Sequence, residues 1–310
     1  MFAIPSKKRK FSSKVESKLD PFWVTGFFDA EGSFVISIYE SKDRAIGWRV
    51  APEFKITLHK RDEVILNNIK EFFGVGTITS YKYTLNYKVR TLKDITEIII
   101  PHFEKYPLIT QKKADYELFK QVILIIKDKN QLDKNALQEI VNIRASLGWG
   151  LSYKLLNEFP NTNPVTRPII KDQEIKNPFW LTGFTDGEGS FMVSMSKVNN
   201  TLKERIQLEF KLTQHSRDIE LMKYIALYLN CGNAYENRNA IDYRVVKLSD
   251  IIEKIIPFFQ TYPLLGIKYL DFSDFVKVAN LLNEKEHLTI EGLTKIKEIK
   301  AGMNKGRYLK

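Results

Sequence analysis

Three blocks of this 310-residue sequence occur twice, in the same order. Asp-Pro-Phe-Trp-Val-Thr-Gly-Phe at 20–27 returns as Asn-Pro-Phe-Trp-Leu-Thr-Gly-Phe at 177–184, an offset of 157 positions. Glu-Phe-Lys-Ile-Thr-Leu-His-Lys-Arg-Asp at 53–62 returns as Glu-Phe-Lys-Leu-Thr-Gln-His-Ser-Arg-Asp at 209–218, offset by 156. Ile-Ile-Pro-His-Phe-Glu-Lys-Tyr-Pro-Leu at 99–108 returns as Ile-Ile-Pro-Phe-Phe-Gln-Thr-Tyr-Pro-Leu at 255–264, also offset by 156. One net deletion in the second copy reconciles the offsets. Blocks sharing an offset mean a duplicated unit, so the chain is expected to fold as two similar halves. Between them, residues 158–171 carry three prolines and little periodicity, which reads as an extended linker. The expected division is a basic arm at 1–19, a first unit at 20–157, a linker at 158–176 and a second unit at 177–310.

Each half reads α-β-β-α-β-β-α, an α+β unit. Asp20 and Asn177 are good N-caps, and the prolines after them suit a first helical position, where the missing N–H has no partner to lose. Phe34, Ile36 and Ile38 alternate with Val35, Ser37 and Tyr39, and Phe54, Ile56 and Leu58 alternate with Glu53, Lys55 and Thr57: two strands, each with one apolar face. A helix is expected from about Asp62 to Phe73. Gly74 and Gly76 then turn the chain into two strands, near 76–83 and 85–90, and two or three helices close the half.

The face opposite the apolar one carries Ser33, Val35, Ser37, Tyr39, Arg49, Glu53, Lys55 and Thr57, then Thr77, Thr79, Asn86, Lys88 and Arg90. In the second copy it carries Ser190, Met192, Ser194, Gln207, Glu209, Lys211, Thr213, Asp242 and Arg244. Two readings are open: an ordinary solvent face, common in antiparallel sheets, or a DNA-reading saddle, whose long polar side chains reach base edges in the major groove.

The formal charge of +11 suits a polyanionic partner, although many globular proteins are basic. A single cysteine, Cys231, excludes an internal disulfide and a cysteine zinc site, and four scattered histidines argue against a histidine cage. No apolar run is long enough to cross a membrane. The N-terminal Ser-Lys-Lys-Arg-Lys lies outside any secretory pattern and reads equally as a nuclear localisation patch, a solvated tail or a DNA-phosphate arm.

The first helix of each half carries the chemistry. It reads Trp-Val-Thr-Gly-Phe-Phe-Asp-Ala-Glu-Gly at 23–32 and Trp-Leu-Thr-Gly-Phe-Thr-Asp-Gly-Glu-Gly at 180–189. Gly26 and Ala30, like Gly183 and Gly187, are four apart and share a helix face. Small residues there let two helix backbones approach, which brings Glu31 and Glu188 together at the helix C-termini. The helix dipole disfavours anions at that end, and facing carboxylates repel. A divalent cation removes both objections. The carbonyls of Ala30 and Gly187, lacking intrahelical partners, are expected further ligands.

These two segments resemble the LAGLIDADG motif, and the chain resembles the two-motif, single-chain homing endonucleases of fungal organelle introns. The resemblance covers nearly the whole chain, including the closing phrase at 286–307. It implies two pseudo-symmetric LAGLIDADG domains whose antiparallel sheets form a DNA-binding saddle. It also implies a monomer that needs no protein partner or membrane, cuts both strands of a long double-stranded DNA site and leaves short 3′ overhangs. Mg²⁺ is the implied cofactor, with Mn²⁺ a substitute and Ca²⁺ supporting binding without cleavage. Glu31 and Glu188 take the catalytic acid positions. Lys112 and Lys268 match the family's basic positions, with a solvated helix lysine as the alternative. Gln214 matches a polar strand-end position whose counterpart here is Leu58. His59 and His215 are read as structural or phosphate-contacting. A mitochondrial location is implied by the resemblance alone. Two other functions remain open: an RNA-binding maturase, and a DNA-binding regulator on a degenerate nuclease fold. Either could lose one of the glutamates; both are present.

Overall fold

The computed structural model describes residues 19–128, 132–148, 150–197 and 204–308. The basic arm, apart from Leu19, lies outside them. Each half is built on a four-stranded antiparallel sheet. The first contains β1 (Gly32–Glu40), β2 (Trp48–His59), β3 (Thr77–Tyr81) and β4 (Thr84–Val89), in the order β1-β2-β4-β3. The second contains β5 (Gly189–Lys197), β6 (Glu204–His215), β7 (Asn233–Asn237) and β8 (Ala240–Val245), in the matching order β5-β6-β8-β7.

A seam helix precedes each sheet: Pro21–Glu31 and Pro178–Glu188. The caps form as the sequence predicts. Asp20 accepts from the Phe22 amide at 2.8 Å, and Asn177 from the Phe179 amide at 2.9 Å. Each seam helix passes into its strand without a loop, because Gly32 and Gly189 turn at once to extended backbone. A side chain at Gly32 would strike the Phe28 ring, and one at Gly189 would strike Thr185.

The alternating apolar positions pack inward. Phe34, Ile36, Phe54, Ile56, Leu58, Leu85, Tyr87 and Val89 join Phe27, Phe28 and Phe103 in the first core. The Phe28 and Phe54 rings stack with centroids 4.4 Å apart. Helices Glu63–Phe73 and Lys112–Asp128 cover that face. Phe191, Phe210, Leu212, Ile241 and Tyr243 form the second core, against Ile219–Tyr228 and Lys268–Asn283. The cores interlock at the seam. Ile109 belongs to the second, with Phe22 and Ala30 packed against it, while Phe179 and Leu265 pack against the first.

Two features depart from the sequence expectation. A π-helical turn opens Ile95–Ile99 and recurs at Ile251–Ile255, just ahead of Pro101 and Pro257. A wider turn accommodates a residue that has no N–H and crowds the preceding carbonyls. The segment read as a plain linker is stitched to the fold: Ile175 and Gln173 are buried, and Arg167 pairs with Asp115 at 2.5 Å.

Candidate functional site

Glycine sets the depth of the seam. A Cβ at Gly26 would stand 2.8 Å from the Trp180 carbonyl carbon and 3.0 Å from the Phe184 nitrogen, closer still to the Trp180 oxygen. One at Gly183 would meet Trp23 and Phe27 in the same way, at 2.8 and 2.9 Å. Backbone therefore packs on backbone. One turn on, Gly187 lies against Ala30, where a Cβ would come within 3.2 Å of the Glu31 Cγ.

The seam is also cross-braced. Trp23 Nε1 donates to Asp186 Oδ2 at 2.9 Å, and Trp180 Nε1 donates to Asp29 Oδ2 at 2.8 Å. Each aspartate then accepts from its own half. Asp29 takes the Ile109 amide at 3.0 Å and the Thr110 hydroxyl at 2.5 Å. Asp186 takes the Leu265 and Gly266 amides at 2.8 and 3.0 Å. Burial pushes both carboxyls up to about 6, against the pull of these hydrogen bonds. Sequence reasoning missed this brace, although Trp and Asp recur in both copies of the motif.

Glu31 and Glu188 end the two seam helices, half-buried. Burial is the largest influence on Glu31 and raises it; Lys268 and Lys112 oppose, and Asp62 adds to the rise. Burial also leads for Glu188, the negative charge of Glu31 reinforces it, the two lysines oppose, and the result is about 7. Among the described residues neither carboxylate has a hydrogen-bond or ion-pair partner, and no three Asp, Glu, His or Cys side chains are grouped so as to hold a metal ion.

The lysines are half-buried and anchored rather than free on a helix surface. Lys112 Nζ donates to the Phe28 carbonyl at 2.8 Å and the Ala30 carbonyl at 3.2 Å. Lys268 Nζ donates to the Thr185 carbonyl at 3.3 Å and to the Gly187 carbonyl. Burial lowers both, Lys112 to about 8, although surrounding carboxylates pull the other way. The carbonyls of Ala30 and Gly187, offered by the sequence as metal ligands, thus already accept from an ammonium.

Three other residues settle differently. Gln214 lies on the Phe210–Leu212 side of β6 and folds its side chain back onto the His215 amide at 2.9 Å. Among the described residues it makes no hydrogen bond to the glutamates or lysines. His59 and His215 cap the turns that follow them, each accepting through Nδ1 from the amide two residues on, at 3.2 Å.

The register puts the proposed reading residues on one face. Ser33, Lys55, Lys88 and Thr77 form one row across the first sheet, and Thr57, Asn86 and Thr79 form another. Val35 pairs with Glu53, and Tyr39 with Arg49. In the second sheet Ser190, Lys211 and Arg244 form a row, with Met192 opposite Glu209 and Ser194 opposite Gln207. Several charges are already paired. Glu53 holds Lys88 at 3.6 Å and Arg90 at 2.5 Å; Glu209 holds Arg244 at 3.5 Å. Asp242 is a correction: it is fully buried rather than presented on the face. Thr213 donates to it at 2.6 Å, Arg244 at 2.6 Å and Asn237 at 3.1 Å. Burial alone would raise it, but these bonds together hold it below the usual carboxylate range. Asn233 and Tyr235 of β7, in register with Arg244 and Asp242, extend the face. Continuing the period-two alternation would have found them.

A family model described as "LAGLIDADG endonuclease" matches residues 24–123 and 181–279. The chain is 38% identical over 304 residues to "Probable intron-encoded endonuclease 3" of Neurospora crassa, covering 94% of this chain and 57% of that protein. It is 39% identical to "Probable intron-encoded endonuclease 2" of the same fungus, covering 93% of this chain and 66% of that protein. The chain therefore spans less than two thirds of these curated relatives. Among solved structures, the meganuclease I-SmaMI bound to uncleaveable DNA superimposes with a TM-score of 0.90 at 42% identity, covering 94% of this chain and 99% of that one. I-GzeII in complex with its DNA target gives 0.87 at 43% identity, covering 93% and 99%. I-SmaMI is also described bound to uncleaved DNA in the presence of calcium ions, at 41% identity and 0.90, covering 93% and 100%. A duplicated αββαββα fold, a glycine-floored seam ending in two glutamates, and matched segments over both copies make one statement: the chain belongs to the LAGLIDADG endonuclease family.

Proposed function

We propose that the chain is a site-specific homing endonuclease that makes a double-strand break in a long, asymmetric DNA target and leaves short 3′ overhangs. The observation that carries this reading is the meeting of Glu31 and Glu188 at the seam between the two sheets, with no hydrogen-bond or ion-pair partner for either among the described residues. The two units, 20–157 and 177–310, each supply one seam helix and one reading face; 158–176 joins them. The halves differ on that face, with Lys88 where the other has Arg244 and Ala51 where it has Gln207, so a perfect palindrome is not the natural target.

The donor set fits a divalent cation. Burial raises both carboxyls and the charge of Glu31 raises Glu188 further, so the paired anions are held at a cost that a proton or a metal relieves. Glu31 and Glu188 would hold the ion, with the carbonyls of Ala30 and Gly187 beside them. Mg²⁺ is the proposed ion, with Mn²⁺ as substitute and Ca²⁺ supporting binding only. An ion held by these residues would supply polarisation of the scissile phosphate and a lower pKa for the attacking water.

The protein's own groups do the rest. Lys112 and Lys268, anchored on the seam-helix carbonyls, hold positive charge beside the phosphoryl oxygens as negative charge develops on them. Lys55, Lys211 and the Arg90 and Arg244 pairs meet phosphates and base edges in the major groove. Bending of the DNA over the saddle brings both strands to the seam. One chain contains both halves, so a monomer suffices, and none of the described helices is long and apolar enough to cross a membrane. Encoding in a fungal mitochondrial intron is proposed from the intron-encoded relatives.

The test is a cleavage screen against a plasmid library with Mg²⁺, followed by Glu31→Gln and Glu188→Gln. Each variant should bind the recovered site in Ca²⁺ and fail to cut it in Mg²⁺. Full cleavage by either one sinks the mechanism.

A further inference from the structure

The two lysines occupy matched positions, yet their supports are unlike. Thr110 donates to Asp29 at 2.5 Å and accepts the Lys112 amide at 3.1 Å, tying the start of helix Lys112–Asp128 to the seam. The matching residue in the second half is Gly266, which has no hydroxyl. Asp218, 1% exposed, reaches across from the second half and accepts the Gln111 amide at 2.7 Å. Gln173 of the linker clamps this junction. Its amide group donates to Asp218 Oδ1 and to the Ile109 carbonyl, both at 3.0 Å. Gln111 returns a bond to the linker at the Ile170 carbonyl, 3.0 Å, and Arg167 holds the Gln111 carbonyl at 3.0 Å. The Lys268 side has Asp62 in place of Asp218, only partly buried, and Ile267 in place of Gln111. Among the described residues no linker side chain bonds to that side.

We infer that Gln173 and Asp218 are positioning residues that preorganise the Lys112 half of the centre, so that the linker makes the two strand cuts unequal. This rests on the endonuclease reading. A buried carboxylate shared by a backbone amide and a side-chain amide has no slack, because breaking either bond leaves a buried polar group unpaired. The ammonium of Lys112 inherits that rigidity through the amide at its own helix start. The approach to Lys268 is held from within its own half, by Asp186 on the Leu265 and Gly266 amides and by the two carbonyl bonds of the ammonium, with no bond from the linker among the described residues.

Gln173→Met keeps the length of the side chain and removes both donors. Strand-resolved single-turnover cleavage should show one strand slowed by about tenfold, since small misplacements of a catalytic group are costly. The slowed strand should be the one that Lys112→Met slows most, not the one that Lys268→Met slows most. Hydrogen exchange in metal-free protein supplies the second readout: the Gln111 amide should lose protection, while amides at 266–268 keep theirs. Equal slowing of both strands, unchanged rates, or slowing of the Lys268-dependent strand would each overturn the inference. Wild-type protein that cuts neither strand of any target refutes the endonuclease reading itself, which is a different result.

Discussion

Gly26→Ala is the sharpest test of the seam. The new Cβ would sit 2.8 Å from the Trp180 carbonyl carbon and 3.0 Å from the Phe184 nitrogen, where ordinary contact begins near 3.4 Å. Both obstacles are helix backbone, so no side-chain rotation relieves the clash; the helices must part by more than half an ångström. Overpacking in a close-packed core typically destabilises by 1–3 kcal/mol, and an unyielding backbone contact places this case at about 3 kcal/mol. Parting the helices also moves Glu31 away from Glu188. Urea denaturation should show a lower midpoint, and cleavage in Mg²⁺ should fall further than DNA binding in Ca²⁺. Gly302→Ala is the control: its Cβ would find nothing nearer than the Ile299 carbonyl at 3.5 Å, and stability should change by less than about 0.5 kcal/mol. A Gly26→Ala protein as stable and as active as that control would refute backbone-on-backbone packing at the seam.

Glu188 is raised from 4.5 to about 7, so the folded state binds a proton more tightly than the unfolded state. Its contribution is fully present below pH 4.5 and is lost as pH rises through 7. In EDTA, Glu188→Gln should therefore be more stable than wild type at pH 8, by up to about 3 kcal/mol, with the gap closing below pH 4.5; melting temperatures across pH report this, and an identical pH profile contradicts it. Trp23→Phe keeps the buried ring and removes the 2.9 Å bond to Asp186, which retains two backbone amides. It should destabilise by about 1–2 kcal/mol in urea, and a neutral result would show that the brace contributes nothing. Binding to the recovered DNA site should weaken steeply and log-linearly with salt as phosphate contacts release counterions, and a flat titration would remove the saddle from the account.

Much of the architecture could be read from residues alone because it rests on local rules. The repeat offset implies the pseudo-two-fold, and strand alternation through Phe34, Ile36, Phe54 and Ile56 places the cores. Paired small residues mark the seam because only glycine tolerates the approach seen at Gly26 and Gly183. What stayed hidden depends on long-range pairing. Trp23 and Asp186 lie 163 positions apart, and nothing local ties them together. Asp242 occupies an outward register position yet is buried, because Thr213, Arg244 and Asn237 close over it. Gln214 looked poised by position, but its side chain is spent on a neighbouring amide. The proline-rich stretch gave no periodic signal because its polar groups bond to irregular partners, as Gln173 does to Asp218 and Ile109.

The passage from seam helix to strand has its own consequence. Gly32 and Gly189 leave no loop between each glutamate and the sheet expected to lie on DNA. Without a hinge, reader and blade form one rigid piece. A target that seats a sheet slightly askew therefore carries the carboxylate askew by a similar distance. Binding tolerates such an offset by giving up a contact or two, whereas bond cleavage falls by up to about a hundredfold for a misplacement near 1 Å. Sequences that the protein still grips should thus be ones it largely refuses to cut, so fidelity resides more in the cut than in the grip.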